Sequence, residues 1–320
     1  MDTEYRQLSA ADVLSLRDRV QELWQATDGV LSLGTACSGT DVLIRVVGLH
    51  LRKWKALFNF CFRIRHMFSC EIIDWKCRFI RDHWTPEAVF PDVTRLGNHK
   101  AQDIDGTWRV VPSPLLFACG IECDSVSKLN VNAHRHRSCI EHGSDKTGST
   151  AQGTIGFVKA HKPLSVILEN VSSLGTKDSE TGKSNLQMLV ELFNGMGYAV
   201  WHSLVTAGKH GFPQSRERTY IVCVLEAPVA VNQYDKEFVF PRWHQGFSKR
   251  LAQVEVPIVH ISRFLLPCDH PALRQWLQEK DLDAKKGRTK KQPLPSQPTS
   301  TRGRPSIGRP LPQWAGVGPP

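Results

Sequence analysis

Between residues 29 and 225, short apolar runs of strand length alternate with segments whose apolar residues recur every three or four positions. Gly29 to Ala36, Leu115 to Cys119, Leu164 to Leu168, Tyr198 to Val205 and Thr219 to Leu225 read as strands, with Phe68 to Ile72 the second in order. Val13, Leu14, Leu16, Val20 and Leu23 make a helical stripe that Ser9 is placed to cap. Leu186, Leu189, Val190 and Phe193 make another behind Ser184, ended by Gly195 or Gly197. This alternation predicts an α/β fold with a mostly parallel sheet and helices on both faces. No repeat of solenoid length is present.

Composition adds a boundary near the end of the chain. The 320 residues are 41% hydrophobic, enough for one large α/β domain and a small appendage. Lys285, Lys286, Arg288, Lys290, Lys291, Arg302, Arg304 and Arg309 stand in a stretch without acids, so residues 285–320 carry eight charges of the formal +10. Proline is also dense there, and such a segment cannot build a core, which predicts disorder in isolation. Nine cysteines without framework spacing fit reduced thiols, and no apolar run approaches a membrane span. The start, Met1 to Arg6, lacks a signal-peptide layout, so an intracellular protein without membrane partners is expected.

Three strand ends carry reactive groups. Cys123 follows the Leu115 run, Glu169 with Asn170 follows the Leu164 run, and Arg216 with Arg218 leads into Thr219 to Leu225. Neighbouring strand ends of an open α/β sheet share one rim, where a thiol, a carboxylate and a guanidinium can converge. That trio suits an electron-poor heteroaromatic base: the thiolate adds to a ring carbon, the acid protonates a ring nitrogen and the arginine holds an exocyclic oxygen. Nearer the N-terminus, Thr35, Ala36, Cys37, Ser38 and Gly39 form a small-residue turn between a strand and a helix beginning at Asp41, a nucleotide-type binding corner. Glu71 ends the second strand, where a carboxylate can take ribose hydroxyls.

In order and spacing these residues resemble the C5-cytosine methyltransferase family. Its cysteine motif, usually Gly-Pro-Pro-Cys-Gln-x-Phe-Ser, is matched by Gly120-Ile121-Glu122-Cys123-Asp124-Ser125-Val126-Ser127. Its Glu-Asn-Val motif is intact at Glu169 to Val171, and its Gln-x-Arg-x-Arg motif is intact from Gln214 to Arg218. The family's Phe-x-Gly-x-Gly turn keeps Gly39 but has Thr35 and Cys37 at its other positions. The resemblance implies a Rossmann-like S-adenosylmethionine-dependent methyltransferase sheet and methyl transfer to C5 of cytosine in DNA through a covalent Cys123 adduct, with RNA the lesser substrate candidate. It implies that the Thr35 to Gly39 turn holds the methionine part of S-adenosylmethionine, that Glu71 takes the ribose, that Ile72 lies against the adenine, and that Asp92 with Val93 meets the adenine amino group. Arg218 is then expected to hold the base oxygen and orient Glu169, Arg216 to support the cysteine loop and a phosphate, and Asn170 to fix the strand end. The polar stretch from Ser125 to Thr150 resembles the loop that closes over a flipped base.

Departures from that pattern define a second reading. Ile121 and Glu122 replace two prolines, Asp124 replaces glutamine, and two carboxylates beside a thiol oppose its ionisation. A degenerate methyltransferase fold that binds DNA, RNA or cofactor without turnover is the alternative. Residues 226 to 284 are too few for a full target-recognition domain. The division expected is therefore 1–226 catalytic, 227–284 a short extension and 285–320 a basic tail, with specificity coming from the extension, the tail or a protein partner. Arg302-Gly303-Arg304-Pro305 resembles an AT-hook core whose arginines, Arg302 and Arg304, enter an A·T-rich minor groove. Lys285 to Lys291 reads as a nuclear-localisation cluster or a phosphate-binding patch, which points to the nucleus. Cys119, Cys123, His136 and His142 formally satisfy a zinc-finger spacing, but Ser127 and Ala133 stand where a finger has its apolar plug, so no metal is expected.

Overall fold

The apolar runs pair into one seven-stranded sheet, made of β1 (Val30–Ala36), β2 (Arg63–Cys70), β3 (Val89–Phe90), β6 (Leu116–Gly120), β7 (Ser165–Val171), β8 (Tyr198–Thr206) and β9 (Glu217–Leu225). The structure is a computed structural model that describes residues 10–133, 138–226, 229–231, 236–238, 271, 274 and 275. Strand order is β3-β2-β1-β6-β7-β9-β8. The first five of these run parallel, while β9 is antiparallel to both β7 and β8. Two short hairpins, β4 (Lys100–Gln102) with β5 (Trp108–Val110) and β10 (Val229–Val231) with β11 (Lys236–Phe238), stand outside it. Residues 1–261 form one compact unit and Ser262–Pro320 a second, in which 271, 274 and 275 are helical.

Helices cover the sheet on both faces. On one side α1 (Ala10–Thr27) and α2 (Val42–Phe58) bury Leu16, Val20 and Leu23 with Val47, Leu51 and Trp54 against Leu31, Phe62 and Ile64, while α3 (Asp74–Trp84) buries Cys77 and Ile80 with Val89. Leu14 points out of that stripe and is 57% exposed, and the proposed cap Ser9 lies outside the described residues. On the other side α5 (Asp145–His161) and α6 (Asn185–Gly195) pack over Phe117, Val166, Leu168 and Ile221. Phe68, Phe90, Phe117 and Phe157 meet there, with Phe117 and Phe157 ring centres 4.4 Å apart and Phe68 and Phe157 5.4 Å apart. All four are fully buried, each contributing about 1.5–3 kcal/mol. No helix among the described residues is long and apolar enough to cross a membrane.

Local signals explain some element ends and fail at others. Ser184 caps α6 by accepting the Gln187 N–H at 3.1 Å. Asp41 behaves differently from a helix-starting acid: α2 begins at Val42, and Asp41 stands just before it in a left-handed conformation, making no side-chain cap bond. The stretch from Ser125 to Thr150, expected as one long loop, contains α4 (Cys139–His142) and the first turns of α5. There the small residues of α5 permit close packing, since a Cβ on Gly153 would lie 2.9 Å from the Thr94 Cα. Between Leu33 and Gly34 the β1–β2 register slips by one residue, leaving Met67 without a partner as a bulge in β2.

Candidate active site

The parallel strands β6 and β7 end on the rim where antiparallel β9 begins. Gly120 pairs with Glu169, Glu169 with Tyr220, Asn170 with Thr219, and Val171 with Arg218. This register delivers Glu169 and Arg218 side by side: Arg218 Nε donates to Glu169 Oε1 at 2.8 Å, and Arg216 Nη2 lies 3.7 Å from the same oxygen. Arg218 also donates to the Glu217 carbonyl at 2.7 Å, which fixes its guanidinium against the strand. Both members of the pair are partly shielded, so the bond is stronger than an exposed ion pair. Arg216 is more than half exposed.

Cys123 enters the same neighbourhood from the turn after β6. It is half-buried against the core, and Arg218 and Glu169 both act on its ionisation. Burial pushes the thiol up first and Glu122 second; Arg218 lowers it, and Glu169 and Asp124 raise it again, so the net direction is upward. Glu122 Oε1 accepts the backbone N–H groups of Cys123 and Asp124 at 3.1 and 3.2 Å, holding its charge beside the sulfur. Asn170 Nδ2 donates to the Ile121 carbonyl at 3.1 Å, and its Oδ1 accepts the Val171 N–H at 2.8 Å, tying the end of β7 to the cysteine turn. Gly120 is needed for close approach: a Cβ there would lie 2.8 Å from the Cys37 carbonyl oxygen and 3.8 Å from Glu169 Oε2.

Past the cysteine, the chain turns at Asn130, whose Nδ2 donates to the Asp124 and Ser125 carbonyls at 3.1 and 3.2 Å. The turn displays Leu129 and Val131, which are 95% and 89% exposed. Nothing in the hydrophobic pattern singled these two out, because isolated aliphatic residues in a polar stretch carry no period.

The second candidate cluster sits at the ends of β1, β2 and β3. Cys37 and Gly39 are both left-handed, and a Cβ on Gly39 would meet nothing within 4 Å, so the turn opens onto free space. Cys37 N–H donates to the Cys70 carbonyl at 2.8 Å, tying the turn to β2. A hydrogen bond with the Cys119 thiol, then burial, push the Cys37 thiol well up, with further contributions from Cys119, Glu71 and Glu122. Ala36 and Thr35 are fully buried, and the Thr35 hydroxyl has no partner. Glu71 is buried and accepts the Ile73 N–H at 3.1 Å through Oε1, while Lys76 Nζ stands 3.7 Å from Oε2. Ile72 beside it is an apolar side chain that is 79% exposed. Asp92 Oδ1 accepts from the Thr94 N–H and hydroxyl at 2.9 and 2.7 Å, capping the short 3₁₀ turn Val93–Arg95. The Val93 side chain points into the core, so only its backbone can take part at the rim. The open turn, the uncovered Ile72 and the buried Glu71 fit a ligand with a polar sugar and a flat ring, as S-adenosylmethionine has.

Directly beneath that turn lies a network the sequence reading missed. Asp41, fully buried, accepts hydrogen bonds from the Ser38 and Ser69 hydroxyls. Ser69 Oγ lies 2.9 Å from His66 Nε2, which is itself 3.6 Å from Asp41 Oδ2. Left-handed Cys37 and Asp41 each cost about 1–2 kcal/mol in backbone strain. Hydrogen bonds to a carboxylate, about 1.5–3 kcal/mol each, are of a size to offset that cost.

Three of the four residues of the zinc-finger spacing are among the described residues. Cys119 is buried in β6 with its sulfur 3.3 Å from the Thr154 hydroxyl, His142 ends α4, and His136 lies outside the described residues. Glu122, Cys123 and Asp124 instead bring one ligand-type atom each within 4.8 Å of one another. Arg302 and Arg304, like the whole basic tail, also lie outside the described residues.

With rim and turn defined, the family follows. Residues 63–260 match the family described as C-5 cytosine-specific DNA methylase, and the chain belongs to it. It is 27% identical over 261 residues to the DNA (cytosine-5-)-methyltransferase DMT5 of Cryptococcus neoformans var. grubii, covering 79% of this chain and 10% of that protein. It is also 27% identical over 202 residues to the type II methyltransferase M.MspI of a Moraxella species, covering 60% of this chain and 44% of that one. The chain thus spans a tenth and less than half of these two relatives. Among solved structures, the S. pombe Dnmt2 methyltransferase aligns with a TM-score of 0.42 at 14% identity, over 74% of this chain and 60% of that one.

Proposed function

We propose that this chain transfers a methyl group to C5 of cytosine in DNA, with residues 1–226 as the catalytic part. The observation that supports this best is the 2.8 Å Arg218–Glu169 pair on adjacent strands, beside a cysteine whose ionisation both groups influence. Carbons C5 and C6 of a stacked base are out of reach of a nucleophile, so the cytosine must first leave the duplex. The Cys123 thiolate then bonds to C6 while Glu169 gives a proton to N3, which moves electron density to C5. Arg218 holds the exocyclic oxygen and keeps Glu169 turned toward the ring. When bound, S-adenosylmethionine supplies an electrophilic methyl group; Thr35 to Gly39, Glu71, Ile72 and the Asp92–Val93 turn are the residues that would hold it. Loss of the C5 proton to a base expels the thiolate and restores aromaticity. Asn170 keeps the cysteine turn against the end of β7, and Arg216 faces outward for a phosphate.

The basic tail, with Arg302 and Arg304, is proposed to hold duplex DNA and to accompany a nuclear location. Specificity is assigned to the tail, the 227–284 extension or a partner protein. One observation favours the alternative of binding without turnover: burial, and Glu122 after it, push the Cys123 thiol up. The deciding experiment incubates the folded chain with DNA containing 5-fluorocytosine and labelled S-adenosylmethionine. Transfer predicts a denaturant-stable protein–DNA adduct carrying label, lost in Cys123→Ala. Retained DNA binding with neither adduct nor label would establish the binding-only reading.

A further inference from the structure

His66 and Ser69 are three residues apart on β2, a spacing that in a regular strand puts side chains on opposite faces. The bulge at Met67 reverses the alternation between them. As a result Ser69 Oγ reaches His66 Nε2 at 2.9 Å and at the same time donates to Asp41. Asp41 arrives from the other side, at the end of the Cys37 to Asp41 turn, rotated inward by its left-handed backbone and free of any capping duty toward α2. Its second oxygen takes the Ser38 hydroxyl from inside the turn. The Trp84 indole N–H closes the outer side by donating to the Thr40 carbonyl at 2.7 Å.

We propose that Asp41, Ser69 and His66 form a buried latch that holds the Cys37 to Asp41 turn in its cofactor-binding shape and so sets the affinity for S-adenosylmethionine. The latch links the two segments that present the candidate cofactor residues: Ser38 and Gly39 from the turn after β1, and Glu71 two residues beyond Ser69. It deepens the cofactor assignment above and rests on it. These are positioning residues, since all three are buried. The polar pattern of Asp41 and Ser69 matters because neither apolar packing nor a capping bond explains a carboxylate without solvent exposure at this place.

His66 gives the latch an internal reporter. Burial lowers its ring pKa; Asp41 from the turn and Glu87 from the segment before β3 oppose that, as do the carbonyls of Trp84 and Phe68. Those carbonyls lie near the ring, but Nδ1 has no partner at hydrogen-bonding geometry. Neutralising Asp41 therefore removes the main opposing charge and should move the His66 titration further down.

The test uses the full chain and calorimetric titration with S-adenosylmethionine. Asp41→Asn tolerates the left-handed backbone and Ser69→Ala removes one hydroxyl; each should weaken binding about tenfold, the equivalent of one hydrogen bond to a charged group. Because both cut one network, the double variant should bind no more weakly than the worse single. His66→Gln makes an independent cut if Ser69→Ala does not fold, and the His66 ring resonances in Asp41→Asn should titrate at lower pH than in the unaltered chain. Unchanged affinity in folded single variants, additive losses in the double variant, or an unmoved His66 titration would overturn the latch while leaving the cofactor assignment intact. Failure of the unaltered chain to bind S-adenosylmethionine would overturn both.

Discussion

Replacing Glu122 by glutamine should make Cys123 a faster nucleophile. Glu122 is the largest electrostatic influence holding the thiol protonated, second only to burial, and one of its carboxylate oxygens lies within 4.8 Å of the sulfur. At that separation two unit charges repel by about 0.9 kcal/mol in a water-like dielectric and about 3.5 kcal/mol at an effective dielectric of ~20. Both groups are partly exposed, so the lower figure governs. It corresponds to about a fourfold larger thiolate population at neutral pH. A less basic thiolate is also less nucleophilic, which cuts the gain in rate to about twofold. Glutamine keeps an oxygen for the Cys123 and Asp124 N–H groups, so the turn itself is retained. The assay is carbamidomethylation of Cys123 by iodoacetamide, followed peptide by peptide with mass spectrometry because Cys37 and Cys61 are also accessible. An unchanged or slower rate at Cys123 in a folded Glu122→Gln protein would refute the electrostatic account of this site.

Three further outcomes follow from the packing. Gly120→Ala forces a Cβ to 2.8 Å from the Cys37 carbonyl and should weaken S-adenosylmethionine binding, read by the same titration, because the clash falls on the turn proposed to hold the cofactor. Tyr198→Phe leaves the Pro163 carbonyl without its 2.7 Å donor in a buried place and should cost about 1–3 kcal/mol in denaturant unfolding. His66 and His161 both have ring pKa values lowered mainly by burial. The unfolded chain, titrating near ~6.5, therefore binds more protons than the folded one; stability from these rings is complete above about pH 6.5 and is lost as pH falls below it. Chemical denaturation at pH 7 and pH 5.5 should show that loss, and His161→Gln should flatten it.

What the sequence disclosed of this molecule is what period and order can encode. The strand ends at Cys123, Glu169 and Arg218 were readable because each closes or opens an apolar run, and parallel crossovers bring such ends to one rim. The cap at Ser184 was readable for a local reason, a side-chain oxygen facing free N–H groups. The start of α5 was not, because Asp145 to Gly153 has few large apolar residues and forms a helix through close backbone packing rather than an apolar stripe. The hairpin of β4 and β5 was hidden by its length: three residues per strand show no usable alternation. Asp41 fits a helix start by position alone; its actual bonds depend on Ser69, 28 residues away, and on a bulge that composition does not announce.

That bulge constrains how this lineage can vary in length. Met67 is one residue too many for the ladder, and everything after it is presented with the parity it creates. Deleting it would send Phe68 out of its aromatic cluster and carry Ser69, Cys70 and Glu71 to opposite faces in a single step. An insertion or gap at this point therefore reverses which face each later residue of β2 presents, whereas a gap at Asn59 or Phe60, before the buried Phe62, leaves that parity unchanged. Alignments that slide a gap across residues 59 to 70 treat these as equivalent, and the fold does not.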